Sequence, residues 1–309
     1  MIRNNPLWHI AGIGAIGSVI ATSFCRGEQS VQLILKNEKQ LETYQKSKLT
    51  ITSDRFKYQC HPFAQLNSSL SEPIGFLICC TKAHDVLPLL KSLKLVLLPE
   101  SIIILIHNGM GVIEEISAEL PHLRIISGIT SLGGYLEKPY KVKAFLNSPI
   151  YLGETIGHFS SEEIESIKNS FRKSALECEW TESIQSLIWN KFAINCSINI
   201  LTALFSCKNG MLMQHQELLK QFTQEIAVVL QAYKIPITAE ELLRKVDEVI
   251  RNTADNYSSM YKDIKNNRLS EIHYLNGRLI QLAEHKNINI PVANRLLHQF
   301  YSLFPQQNN

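Results

Sequence analysis

Residues 7–17 read LWHIAGIGAIG, and the fold turns on how this stretch is read. Leu7 to Ala11 is an apolar run too short for a stable helix and suited to a strand buried on both faces. Gly12, Ile13, Gly14, Ala15, Ile16 and Gly17 then make a GxGxxG turn, and the apolar stretch AIGSVIATSFCRG continues as a helix. Such a turn calls for glycine three times: for a tight bend, for backbone that a pyrophosphate can approach, and for close helix-on-strand packing. Backbone N–H groups at the helix start favour an anion there. A second apolar run, VQLIL at 31–35, completes strand–turn–helix–strand and predicts a dinucleotide site on Gly12–Gly17. The hexad alone also fits glycines that serve packing only.

Working outward, IGFLICC (74–80), SIIILIH (101–107) and RIISGIT (124–130) are further compact apolar runs. Helical stretches, HDVLPLLKSL and GVIEEISAEL, separate them. This alternation predicts a Rossmann-type, doubly wound α/β domain. KVKAFL (141–146) and IYLGE (150–154) read as antiparallel strands added at an edge, and SSEE at 160–163 as a capped helix start. From about 181 onward the periodicity is almost entirely helical. The chain is therefore expected to divide into a Rossmann-type domain over 1–180 and a helical domain over 181–309, with only PQQNN (305–309) expected to be disordered.

The 309 residues are 45% hydrophobic and 19% charged, with a net charge of +3, so a globular protein is expected and no nucleic-acid footprint. The seven cysteines are odd in number and form no CxxC pair, which suits reduced thiols in the cytoplasm. The ten histidines show no metal-ligand spacing. Glycines interrupt the N-terminal apolar run and no small-residue cleavage site follows it. It is also shorter than the roughly 18 apolar residues of a membrane span, so neither a signal peptide nor a membrane partner is expected.

The end of the second strand bears on cofactor type. An NAD site usually places an acid there for the ribose 2′-OH, whereas a 2′-phosphate wants a cation. Lys36 occupies that place and Glu38 comes two residues late, which points to NADP(H). An ordinary surface lysine is the plain alternative. Thr81-Lys82 and His107-Asn108-Gly109-Met110-Gly111 follow two other apolar runs, where ligands bind in such sheets.

In the second half, NKFAINCSIN (190–199) sets Lys191, Asn195 and Asn199 four residues apart in an apolar helix. That spacing keeps them on one face, drifting about 40° per step. A lysine alone could simply snorkel. Two buried amides in register are costly unless a polar ligand completes them.

Taken together, these pieces resemble the ketopantoate reductases (2-dehydropantoate 2-reductases). The resemblance spans nearly the whole chain: GIGAIG, TKAHDV, HNGMGVIEE, the K-x-x-x-N-x-x-x-N row, Asn209-Gly210, NYSSMYKDI, and SEIHYLNG with INIPV after it. It implies NADPH-dependent reduction of ketopantoate to (R)-pantoate, a step toward pantothenate and coenzyme A. By motif, Lys191 falls on the family's proton donor. Asn195, Asn199, Asn209, Asn256, Ser258 and Ser259 fall on its substrate contacts. Gly12 to Gly17, Lys36, Lys82, Asn108, Gly134 and Glu271 fall on its cofactor contacts, with Glu271 also near the reacting centre. Glu271 would supply the counter-charge that a desolvated Lys191 needs. Two positions depart from the pattern: Ile200 stands where the family usually has proline, and His84 where an aromatic is common.

Two other functions fit parts of this pattern: a related NADP-dependent reductase of another 2-keto or 3-hydroxy acid, and an NADP(H)-binding sensor without turnover. Retention of Lys191 and Glu271 speaks against the sensor. A homodimer through an exposed face of the helical half is compatible with the sequence.

Overall fold

The computed structural model describes residues 6–54 and 56–308. They form two compact units. One runs to His107 and again from Val112 to Ile184; the other takes Asn108–Gly111 and Gln185 onward. The division thus falls at the start of a long helix rather than at 180, and the 108–111 turn goes with the helical unit.

The first unit holds strands β1 (Leu7–Ala11), β2 (Ser30–Leu35), β3 (Leu49–Thr52), β4 (Lys57–Cys60), β5 (Phe63–Leu66), β6 (Ile74–Cys79), β7 (Leu97–Leu105), β8 (Arg124–Thr130), β9 (Gly133–Lys138), β10 (Lys141–Phe145), β11 (Ile150–Ile156) and β12 (Cys178–Trp180). Its helices are α1 (Ala15–Arg26), α2 (Glu38–Gln45), α3 (Ala83–Ser92), α4 (Val112–Glu119) and α5 (Ser161–Lys173). The main sheet runs β12-β11-β8-β7-β6-β1-β2-β5. From β5 to β8 every pairing is parallel. The central strands are accordingly apolar on both faces, as in Ile102–Leu105, all buried.

The two late strands differ from expectation. β11 does join the main sheet, antiparallel to β8, but β12 lies outside it, so β11 is not the edge. β10 leaves that sheet and builds a second one, β4-β3-β10-β9. Its alternation explains why: Val142 and Ala144 are buried while Lys141, Lys143 and Phe145 are exposed, a one-sided strand. The small sheet packs on α1. With sheets on both sides, α1 is buried from Gly17 through Phe24, which accounts for its almost wholly apolar sequence. Trp8, Phe24 and Phe171 meet edge to face at this core, with Trp8–Phe24 and Phe24–Phe171 centroids 5.2 and 5.0 Å apart. α5 starts as expected at Ser160, which forms a full capping box with Glu163.

The second unit contains α6 (Ile184–Leu204), α7 (Gln216–Ala232), α8 (Ala239–Asn252), α9 (Ser259–Lys265), α10 (Arg278–His285) and α11 (Pro291–Leu303). Phe192, Phe222, Ile226, Val246, Leu279 and Phe300 belong to its core. α6 runs unbroken through Ile200. Proline there would have removed a backbone donor and kinked the helix, whereas isoleucine lets it continue. A π-helical turn, His273–Gly277, leads into α10. The C-terminal PQQ is ordered, contrary to the compositional expectation: Gln307 is buried, accepting from Ser270 N at 2.8 Å and donating to Arg268 O at 2.9 Å. Asn309 lies outside the described residues. No described helix is long and apolar enough to cross a membrane.

Candidate active site

Each unit carries its own set of functional side chains. In the first, the glycine turn joins β1 to α1 at the carboxyl end of β1, which lies between β6 and β2. Gly12 has φ +80°, and a Cβ there would lie 2.4 Å from the backbone nitrogen of Thr81. Only glycine satisfies both conditions. A Cβ on Gly17 would stand 2.1 Å from Gly12 O, so that glycine sets how closely α1 lies on its strand. Gly14 is different: it is exposed, has φ −79°, and a Cβ there would meet nothing within 4 Å. Open space over backbone is the shape a pyrophosphate requires. α1 also begins without a side-chain cap and without an acidic residue in its first turn, leaving its start receptive to an anion. Ile13, Ala15 and Ile16, partly buried, complete the turn. On these observations the residues fit a dinucleotide.

Lys36 follows β2 directly, and Lys82 is the N-cap residue of α3, just beyond β6. Because β6 and β2 flank β1, both lysines stand at carboxyl strand ends beside the glycine turn. Lys36 Nζ pairs with Asp85 Oδ1 at 2.7 Å. Sequence reading passed over Asp85, since nothing local shows that it meets a residue 49 positions earlier. Gly134 is the second residue of β9, opposite Ala144 in the small sheet.

In the second unit, Lys191, Asn195 and Asn199 project from α6, where Asn199 is buried and the other two half-buried. Lys191 and Asn199 are two turns apart, about 12 Å along the axis. Burial lowers the Lys191 pKa to about 8, against 10.5 for an ordinary lysine, while the Glu271 carboxylate opposes the shift. Glu271 is itself buried and sits just ahead of the π-helical turn. Asn108 Nδ2 donates to its Oε2 at 3.1 Å. Met110 N–H donates to Tyr274 O at 2.8 Å, so the 108–111 turn is fastened to the segment that carries Glu271.

The remaining candidates gather around one loop. Asn209 is buried; its backbone N–H donates to Asn256 O at 2.9 Å and its Nδ2 to Thr253 Oγ1 at 2.8 Å. Gly210 N–H donates to Ala254 O at 3.0 Å. Asn209-Gly210 therefore braces residues 253–256. Asn256 and Ser259 are exposed, whereas Ser258 is buried as the N-cap of α9, accepting from Tyr261 N at 3.1 Å. Ser258 Oγ also lies 2.7 Å from Thr202 Oγ1, which donates to Asn199 O at 2.9 Å. Thr202 thus ties the loop to the polar row of α6.

Sequence reading missed Thr202, Thr253 and Asn276. The last is buried and donates from Nδ2 to Cys196 O at 3.1 Å, within that same row. Its position inside SEIHYLNG was the one available signal.

Chemically, the first unit can hold phosphates, and the second offers a proton donor, a counter-charge and amide groups. The family described as "Ketopantoate reductase PanE/ApbA" matches residues 8–157, and "Ketopantoate reductase PanE/ApbA C terminal" matches 183–302. The 2-dehydropantoate 2-reductase of Vibrio cholerae is 32% identical over 251 residues, 78% of this chain and 82% of the relative. That of Escherichia coli O157:H7 is 30% identical over 300 residues, 93% and 91% of the two chains. Among solved structures, D-mandelate dehydrogenase with NADH and anilino(oxo)acetate superposes with a TM-score of 0.88 at 22% identity, covering 98% of this chain and all of that one, a likeness of fold. With both halves matched and full-length relatives at this identity, the chain belongs to the ketopantoate reductase family of oxidoreductases.

Proposed function

We propose that this protein reduces 2-dehydropantoate to (R)-pantoate with NADPH, a step toward pantothenate and coenzyme A. The observation that carries the proposal is Lys191: a half-buried lysine whose pKa desolvation lowers to about 8 against the opposing influence of the Glu271 carboxylate, aligned with two amides on one helix. Reducing a ketone requires a hydride at carbon and a proton at oxygen. The nicotinamide supplies the hydride. Lys191 polarises the carbonyl and gives its proton to the oxygen as charge develops there. Glu271 keeps Lys191 charged in the ground state, and Asn108 orients Glu271 through their hydrogen bond. Asn195 and Asn199 donate to the keto acid, with Asn256 and Ser259 near its carboxylate; Asn209 and Ser258 position that loop. Gly12 to Gly17, Lys82 and Gly134 hold the dinucleotide, and Lys36 meets the 2′-phosphate.

A panel of keto acids tests the substrate. NADPH oxidation is expected to be fastest, by kcat/KM, with 2-dehydropantoate, ahead of pyruvate, branched 2-keto acids lacking the hydroxymethyl group, and aromatic ones. A site built to hydrogen-bond a hydroxyl rejects analogues that lack it. Equal or better turnover of an analogue would move the assignment to a related 2-keto acid reductase. Binding of NADPH with no keto acid consumed would favour a sensor.

A further inference from the structure

The ion pair between Lys36 and Asp85 bears on cofactor choice in a way that Lys36 alone does not. Lys36 Nζ is 2.7 Å from Asp85 Oδ1, and the other oxygen of that carboxylate is 3.8 Å from His84 Nε2. Asp85 is fixed in the first turn of α3, where its N–H donates to Lys82 O at 2.9 Å. A carboxylate in a helix's first turn is favoured by the helix dipole. Lys36 is far freer, with 67% of its side chain exposed against 33% for Asp85. The lysine is therefore the mobile partner and the aspartate the fixed one.

Sheet order puts this pair where the adenosine ribose belongs. Lys36 follows β2 and Asp85 follows β6, the two neighbours of β1, whose glycine turn lies between their carboxyl ends. A 2′-phosphate arriving there must share or take the Lys36 ammonium from Asp85 and sit close to a carboxylate of its own sign. A 2′-hydroxyl faces no such cost, because it can donate to Asp85 while the ion pair stays closed.

We infer that Asp85 is a specificity-determining residue that offsets Lys36 and holds the preference for NADPH over NADH to a small factor. The inference rests on the reading of Lys36 as the 2′-phosphate partner. Its chemistry is a competition between a carboxylate and a phosphate for one ammonium. Such charge-assisted contacts are among the stronger hydrogen bonds.

The test is calorimetric titration of the intact protein with NADPH and with NADH, for wild type, Asp85→Asn and Lys36→Met. Asp85→Asn keeps the side-chain shape and a hydrogen-bonding oxygen. It is expected to tighten NADPH about tenfold and leave NADH within about twofold of wild type. The NADH titration serves as the check on folding. Lys36→Met is expected to weaken NADPH and leave NADH nearly unchanged. If Asp85→Asn leaves NADPH affinity unchanged, or tightens both dinucleotides equally, while Lys36→Met weakens NADPH, the role of Asp85 is overturned and that of Lys36 stands. If Lys36→Met has no effect on NADPH, both are overturned.

Discussion

Lys191→Ala is expected to lower kcat for keto-acid reduction by about 10²–10⁴-fold, the usual contribution of a general acid. NADPH affinity should change little, since the glycine turn, Lys36 and Lys82 proposed to hold the dinucleotide are untouched. The expectation follows from where the lysine is kept. Burial lowers its pKa to about 8, and the Glu271 carboxylate stops it from falling further. The group is therefore charged at neutral pH yet sheds its proton more readily than a surface lysine. The pH dependence has a definite sign. Below about pH 8 Lys191 carries the proton the reaction needs; above it the proton is lost, so kcat/KM for reduction falls about tenfold per unit. The reverse oxidation, which needs a base, should rise over the same range. Folding stability moves independently: between about 8 and 10.5 the unfolded chain binds the proton that the folded one has shed, so this group's contribution becomes more favourable as pH rises. A wild-type alkaline limb near pH 8 that persists in Lys191→Ala would assign the titration to another group. Near-wild-type turnover in that variant would remove Lys191 from the mechanism.

The second large effect separates binding from folding within three residues. Gly14→Ala should fold normally: the position has φ −79° and its new Cβ meets nothing within 4 Å. Its melting temperature should match wild type or rise slightly, since alanine restricts the unfolded chain. The methyl would nevertheless occupy the space a pyrophosphate uses, and dinucleotide affinity should fall by at least about tenfold. Gly12→Ala should do the opposite damage. It places a Cβ 2.4 Å from Thr81 N at φ +80°, a backbone collision that no side-chain motion relieves. A loss of roughly 3 kcal/mol or more in stability is expected, read by thermal or denaturant unfolding. Wild-type dinucleotide affinity in Gly14→Ala would mean that the turn does not carry the cofactor.

How far sequence served depended on how much each residue's fate is local. The carboxyl halves of β1, β2, β6, β7 and β8 are buried on both faces, so apolar runs announce them. β4 and β5 hold only exposed and half-buried residues over four positions each, a pattern shared with ordinary loops. β10 was legible as a strand but not in its sheet, because its partners β3 and β9 are fixed by the helix they cover. The polar row of α6 was visible from its four-residue spacing. What supports it was not: Thr202 meets Ser258 across 56 positions and Asn276 meets Cys196 across 80. The family resemblance supplied roles that spacing could not, while Asp85 beside Lys36 is a feature of this chain that only the fold reveals.

Deuterium transfer tests the central claim most directly. Wild-type protein is incubated with 2-dehydropantoate and NADPH carrying deuterium on the transferred face of nicotinamide C4. The expected product is pantoate with one deuterium at C2, formed in step with NADP⁺ and nearly absent with Lys191→Ala. Tight NADPH binding without labelled pantoate, or equal labelling by the Lys191→Ala variant, would contradict it.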